Sequence, residues 1–226
     1  MKNIPLSKFR TIWIPLIAFL IFTPFSAMLD LYFSNLFYRE GHFITHPTLS
    51  FLFDYGIDLT WGIIGIALLG LVASFISKVY EKWRRPALFL ILTLAIGSGL
   101  FIHVMLKDHW GRPRPKQVIE FGGTQAFRAY YQPNFFNQPQ PSKSFPCGHC
   151  SMGFYFFSVA LLGLYFQKRK VYYFGMFLAF ILGILLGVTR MAQGGHFLSD
   201  VIVSGLIMWF VSLGLYYLMF DKEAAK

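Results

Sequence analysis

Charge is scarce in this chain: only 13% of its 226 residues are Asp, Glu, Lys or Arg, whereas a soluble domain carries roughly 25%. Six stretches have no Asp, Glu, Lys or Arg over about the length of helix that crosses a bilayer, namely 11–29, 59–77, 86–106, 144–167, 171–189 and 201–220. Little chain is left over, which excludes a separate soluble domain. There is no internal repeat, no low-complexity tract and no alternating strand pattern. The first apolar stretch also lacks a small-x-small cleavage site and is longer than a signal peptide needs, so it reads as an uncleaved helix. The expectation is an all-α membrane bundle of six helices, forming a single domain over residues 1–226.

Acidic residues are scarcer still, 10 against 20 basic ones, for a net charge of +10. That excess would suit nucleic acid, but the basic stripe of a nucleic-acid reader is missing. The cations lie instead in short clusters: Lys2, Lys8 and Arg10; Lys78, Lys82, Arg84 and Arg85; Lys168, Arg169 and Lys170; Lys222 and Lys226. An even number of spans puts these clusters on one membrane side, and the positive-inside rule makes that side, with both termini, cytoplasmic. The opposite side holds 30–58, 107–145 and 190–200. The first of these carries His42 and His46 among aromatics and reads as an interfacial belt or lid. The second holds Pro113, Pro115, Pro133, Pro139 and Pro141, which exclude a long helix. Its Phe121, Phe127, Tyr130, Tyr131, Phe135 and Phe136 suit a flap dipping into lipid headgroups.

Three short motifs fall on that opposite side, each at the end of an apolar stretch. They are Lys107 with Arg114-Pro115, Pro146-Cys147-Gly148-His149, and Arg190 with His196 and Asp200. Each alone has a plain reading as a snorkelling cluster, a helix start or a capped helix. Together they supply what phosphate-ester hydrolysis needs: cations to hold the phosphate, one imidazole to attack, a carboxylate one helical turn away to orient it, and a second imidazole to protonate the leaving group. His103 lies one turn before Lys107 and Arg112 lies inside the first motif, and both are candidates for a headgroup contact.

The three motifs resemble the signature of the type 2 phosphatidic acid phosphatase superfamily: Lys-x6-Arg-Pro, Pro-Ser-Gly-His, and Ser-Arg-x5-His-x3-Asp. The resemblance spans Lys107 to Asp200, and the six-span layout resembles the integral-membrane branch of the family. It implies that Lys107, Arg114 and Arg190 clamp the phosphate, that Gly148 lets backbone approach it, and that His196 forms a phosphohistidine. Asp200 would then fix the His196 tautomer and His149 act as acid and base. Cofactor and metal would not be required, since the clamp is made of side chains. Two positions depart: Thr189 keeps the hydroxyl of the family serine, and Cys147, in the phosphate-binding position of the second motif, has a thiol that donates more weakly than a hydroxyl but keeps a backbone N–H for the phosphate.

Other readings compete. Cys147 and Cys150, the chain's two cysteines, have disulfide-oxidoreductase spacing, but that chemistry wants a strand-helix context. A bridge between them is compatible with an oxidising compartment. His103, His109, His149 and His196 would suit zinc, but two of them already have phosphate-transfer roles. An anion transporter would need polar or broken spans near the midplane, whereas the ionisable groups here cluster at one end. The motif sequence most resembles bacterial lipid A 1-phosphatases, with undecaprenyl pyrophosphate and phosphatidylglycerophosphate as rival substrates. The expected protein is a multi-pass inner-membrane enzyme acting on a lipid phosphate at the periplasmic face, without nucleic acid as a partner.

Overall fold

The computed structural model describes residues 9–136, 138 and 142–220. Lys2, Lys8, Lys222, Lys226, Pro139 and Pro141 lie outside the described residues. Six helices are long and apolar enough to cross a membrane: α1 (Phe9–Leu36), α2 (Pro47–Ile76), α3 (Lys78–Lys107), α4 (Gly148–Tyr165), α5 (Arg169–Ala192) and α6 (Leu198–Phe220). The protein is an all-α membrane bundle, with a small hairpin of β1 (Tyr38–Arg39) and β2 (His42–Phe43) after α1.

The helices outrun the charge-free stretches that announced them. α1 continues past Asp30 to Leu36, and α2 begins at Pro47, well before Asp58, with a break near Gly56. Much of the expected outer segment 30–58 is therefore helical. A charge ends a hydropathy window without ending a helix when the charge is paired or faces water, and Asp30 is paired. At Pro24, residues 23–25 of α1 tighten into a 3-10 turn. The second half of α3, Leu94–Lys107, is wound as a π-helix.

α4 is the axis of the bundle. It packs on α5, α6 and α3, and its face toward α5 is made of small residues. A side chain on Gly153 would fall onto the backbone of Leu182 and Gly183, and one on Gly163 onto the backbone of Val171 and Tyr172. Lipid tails are as apolar as leucine, so van der Waals closeness rather than water exclusion holds such helices together, and small residues permit it. Around this contact Phe154, Tyr155, Phe156, Phe157, Met208 and Leu213 form the apolar core.

The segment between α3 and α4 is folded against the bundle rather than spread over lipid. Phe121 and Val118 pack with Phe43 and Phe197 in a second apolar cluster. Tyr130 is buried, and its hydroxyl lies 2.7 Å from Thr23 Oγ1 of α1. These contacts correct the expectation that its aromatics all dip into headgroups. Phe136, 93% exposed, and the half-exposed Phe135 and Tyr131 keep that possibility.

Candidate active site

The three motifs meet at one end of the bundle. Lys107 ends α3, His149 is the second residue of α4, Arg190 lies in the last turn of α5, and Asp200 lies in the first turn of α6. Arg114 comes from the connection after α3. His196 sits in the tight turn between α5 and α6, where Gly194 takes φ +62° and makes the reversal possible.

Gly148 shows why this point of α4 must lack a side chain. A Cβ there would lie 2.7 Å from His103 Nε2 and 3.3 Å from Lys107 Nζ. His103 is held by its own Nδ1, 2.7 Å from the Ser98 carbonyl, so Nδ1 carries the proton and Nε2 faces the site. The start of α4 and the end of α3 can approach only across a glycine. The cations form one electrostatic group: Lys107 feels Arg114 and Arg190.

His196 and Asp200 are fully buried together. His196 Nδ1 stands 3.6 Å from Asp200 Oδ2 and has no hydrogen-bond partner at that distance. Asp200 is otherwise saturated. Its Oδ2 accepts from Ser144 Oγ at 2.6 Å and the Phe197 amide at 2.8 Å, and its Oδ1 accepts from Arg112 Nη1 at 2.5 Å. Burial, helped by Lys107 and Arg190 and opposed by Asp200, lowers the His196 pKa to about 4, so the ring is neutral at ordinary pH.

His149 and Arg190 share a support that the sequence reading missed. The His149 ring stacks on Phe53 at 4.4 Å, and the Arg190 guanidinium lies 4.6 Å from the same ring. Arg190 Nη1 donates to Gln193 Oε1 at 2.5 Å, while its Nε is buried without a partner. An unsatisfied guanidinium N–H at this point is a donor for a ligand oxygen.

Two expectations are corrected. Arg112 contacts no headgroup, because its side chain is fully buried and bound to Asp30 and Asp200. Burial works against its charge, but the Asp200 and Asp30 carboxylates outweigh it and raise the pKa above the ordinary guanidinium value. Cys147 offers the phosphate neither thiol nor amide. Its sulfur is bridged to Cys150, and its N–H donates to the Asp200 carbonyl at 3.3 Å. The first-turn amides of Gly148 and His149 have no intrahelical acceptor and remain as donors. Asp30, Ser144, Ser199 and Phe53 were not foreseen. Only Asp30 gave a signal, as an ionisable residue at the edge of an apolar span.

A profile of the PAP2 superfamily matches residues 86–224, which take in all three motifs, most of α3 and the whole of α4, α5 and α6. A lipid A 4'-phosphatase of Francisella tularensis subsp. novicida (strain U112) is 41% identical over 161 residues, 70% of this chain and 69% of that protein. A lipid A 4'-phosphatase of Rhizobium leguminosarum is 34% identical over 59% of this chain and 55% of its own length. A lipid A 1-phosphatase of Rhizobium etli is 33% identical over 66% of this chain and 56% of its own length. No solved structure matches the chain. A six-helix bundle with these motifs at one end defines a membrane-embedded phosphatase. The chain belongs to the PAP2 superfamily, and is a lipid phosphatase of that type.

Proposed function

We propose that this protein removes a phosphate monoester from lipid A at the periplasmic face of the inner membrane, through a phosphohistidine on His196. The observation that carries this reading is a buried, neutral His196 between Asp200 and a group of cations. In the proposed reaction Lys107, Arg114 and Arg190 hold the phosphoryl oxygens, with the amides of Gly148 and His149. His196 Nε2 attacks phosphorus while the bond to the sugar oxygen breaks, and His149 gives that oxygen a proton. The Nδ1–Asp200 distance closes to a hydrogen bond as the ring becomes positive, as catalytic contacts commonly tighten on reaction. His149 then takes a proton from water, the water attacks phosphorus, and inorganic phosphate leaves.

The 41% identical relative favours the 4'-phosphate as the bond cleaved, in place of the 1-phosphate expected from the motif sequence. The 1-phosphate is the second reading, supported by the rhizobial 1-phosphatase. The site's position supports the orientation: the basic residues at the α2–α3 and α4–α5 junctions lie at the opposite end of the bundle. Among the described residues no three His, Cys, Asp or Glu side chains converge as metal ligands, and in this reading the cations do the charge stabilisation.

The test is phosphate release by purified protein in detergent from bis-phosphorylated lipid A, undecaprenyl pyrophosphate and phosphatidylglycerophosphate. Mass spectrometry of the lipid A product should show loss of the 4'-phosphate, with activity retained in EDTA. Turnover only of one of the other two lipids, or loss of activity in EDTA that zinc or magnesium restores, would overturn the reading.

A further inference from the structure

Arg112 poses an electrostatic problem for the proposed chemistry. Its guanidinium is fully buried and touches Asp200, the carboxylate that faces the reactive imidazole. A buried guanidinium and a buried carboxylate in contact form a neutral pair. Such a pair has little charge left to balance a third group. His196 becomes positive when phosphorylated, and its neighbours Lys107 and Arg190 are cations as well. With Asp200 cancelled, its charge would not compensate that ring.

Asp30 resolves this. It lies on α1, far from the motifs in sequence, and is fully buried. Its Oδ1 accepts from the Ser199 amide at 2.7 Å, and its Oδ2 accepts from Ser199 Oγ at 2.6 Å and Arg112 Nη2 at 2.7 Å. All three partners donate to it, and one is a guanidinium; such bonds favour the ionised form of a carboxylate. Arg112 divides its fork between the two acids, Nη1 on Asp200 Oδ1 and Nη2 on Asp30 Oδ2. Its Nε donates to the Arg128 carbonyl at 2.9 Å, and its plane lies 4.4 Å from the Phe197 ring. Two carboxylates and one guanidinium leave a single negative charge. Asp200 Oδ2, the oxygen toward His196, is the one that does not touch Arg112.

We propose that Asp30 is a positioning residue for the reaction: by neutralising Arg112 it leaves the charge of Asp200 to His196, and through Ser199 it fixes the first turn of α6 that carries Asp200. The inference rests on His196 being the nucleophile. It gives α1, which lies outside the motif region, a part in the chemistry.

The experiment compares purified wild type, His196→Ala, Asp30→Asn and the double variant Asp30→Asn/Arg112→Gln, with thermal melting and gel filtration in detergent as folding controls. His196-dependent phosphate release by the wild type establishes the parent reading, and its absence would sink that reading rather than this one. Asp30→Asn should lower kcat by on the order of 10- to 100-fold, the scale seen for groups that orient a reactive histidine from behind, with KM little changed. The double variant removes one charge of each sign, so Asp200 again carries the net charge, and Gln can still donate to it. It should turn over several-fold faster than Asp30→Asn. A merely structural role predicts the reverse, because the second change removes further contacts. A folded double variant no faster than Asp30→Asn, or an Asp30→Asn of unchanged kcat, would overturn the proposal. If Asp30→Asn does not fold, the double variant decides alone: kcat at the His196→Ala background refutes the proposal, and kcat well above it supports it.

Discussion

α4 and α1 are both membrane spans, yet they live in different solvents. In α4, 78% of the apolar window is buried inside the protein; in α1 the figure is 6%. The buried helix is the less apolar of the two, carrying Ser151, Ser158, Gly153 and Gly163 among its aromatics. In a soluble protein the order would be inverted. In a bilayer the outer face meets hydrocarbon and must be apolar, whereas the axis meets other helices and must be close-fitting. Apolar character thus marks distance from the site, and departures from it mark the site. Asp30 obeys the same logic. It is a polar intrusion into an otherwise lipid-facing helix, and it points to the buried network around Asp200.

The comparison breaks most sharply at the chemistry. His196→Ala should abolish lipid phosphate release while the protein remains inserted and monodisperse, a loss of at least about a thousandfold. Asp200→Asn should keep weak activity, since the ring stays in place. Leu20→Ala on the outer face of α1, 68% exposed, should be near wild type in the same assay. Near-normal turnover by His196→Ala would end the nucleophile assignment. A pH profile sharpens the point. With the His196 pKa lowered to about 4, its nucleophilic lone pair is lost only as pH falls through that region, so the acid limb of kcat/KM belongs well below the ordinary imidazole value of about 6.5. A limb near 6.5 assigned to His196 by mutation would contradict its burial.

Stability provides the next contrast. Gly153→Leu on α4 would force a side chain into the α5 backbone at Leu182 and Gly183 and should destabilise the bundle by about 1–3 kcal/mol or more. Leu20→Ala on α1 removes a side chain that borders lipid and should cost well under about 1 kcal/mol in detergent melting. Equal losses would mean that α1 packs against the bundle more tightly than its exposure implies.

Legibility followed rarity. Lys107, Arg114, Arg190, His196 and Asp200 stood out because ionisable residues are few in this chain and their spacing is fixed, so their convergence at one end was readable. Six spans were readable because each lacks charge. The span ends were not, since a window stops at Asp30 or Asp58 whether or not the helix does. Phe53 was invisible for the opposite reason to the motifs: with 27 phenylalanines in the chain, no pattern singles out the one that stacks on His149. Ser144 and Ser199 carry no periodic signal, and their value lies in contacts with Asp200 and Asp30 made across 56 and 169 residues of sequence. Arg112 was not legible, because it adjoins a motif in sequence while its side chain turns into the protein, onto Asp30 and Asp200.

The smallest effect concerns the Cys147–Cys150 bridge, which spans the first turn of α4 on either side of His149. α1 has no counterpart, so the bridge tests whether packing alone fixes the start of the central helix. Both cysteines are fully buried, and the Cys150 amide donates to Cys147 Sγ at 3.2 Å, giving the turn a cap as well as a link. Gly148 is already wedged against His103 and Lys107, and His149 is already stacked on Phe53. Neither contact is made through the cysteine side chains. Reductant should therefore change wild-type kcat by only about twofold to threefold, which corresponds to a shift of a few tenths to about 0.6 kcal/mol in the barrier. Cys147→Ser, whose hydroxyl can also accept from the Cys150 amide, should show the same small change without reductant and no further response to it. Turnover of wild type and Cys147→Ser, each with and without dithiothreitol, decides the matter. A large loss confined to reduced wild type would show that the covalent link, rather than helix packing, holds His149 in place.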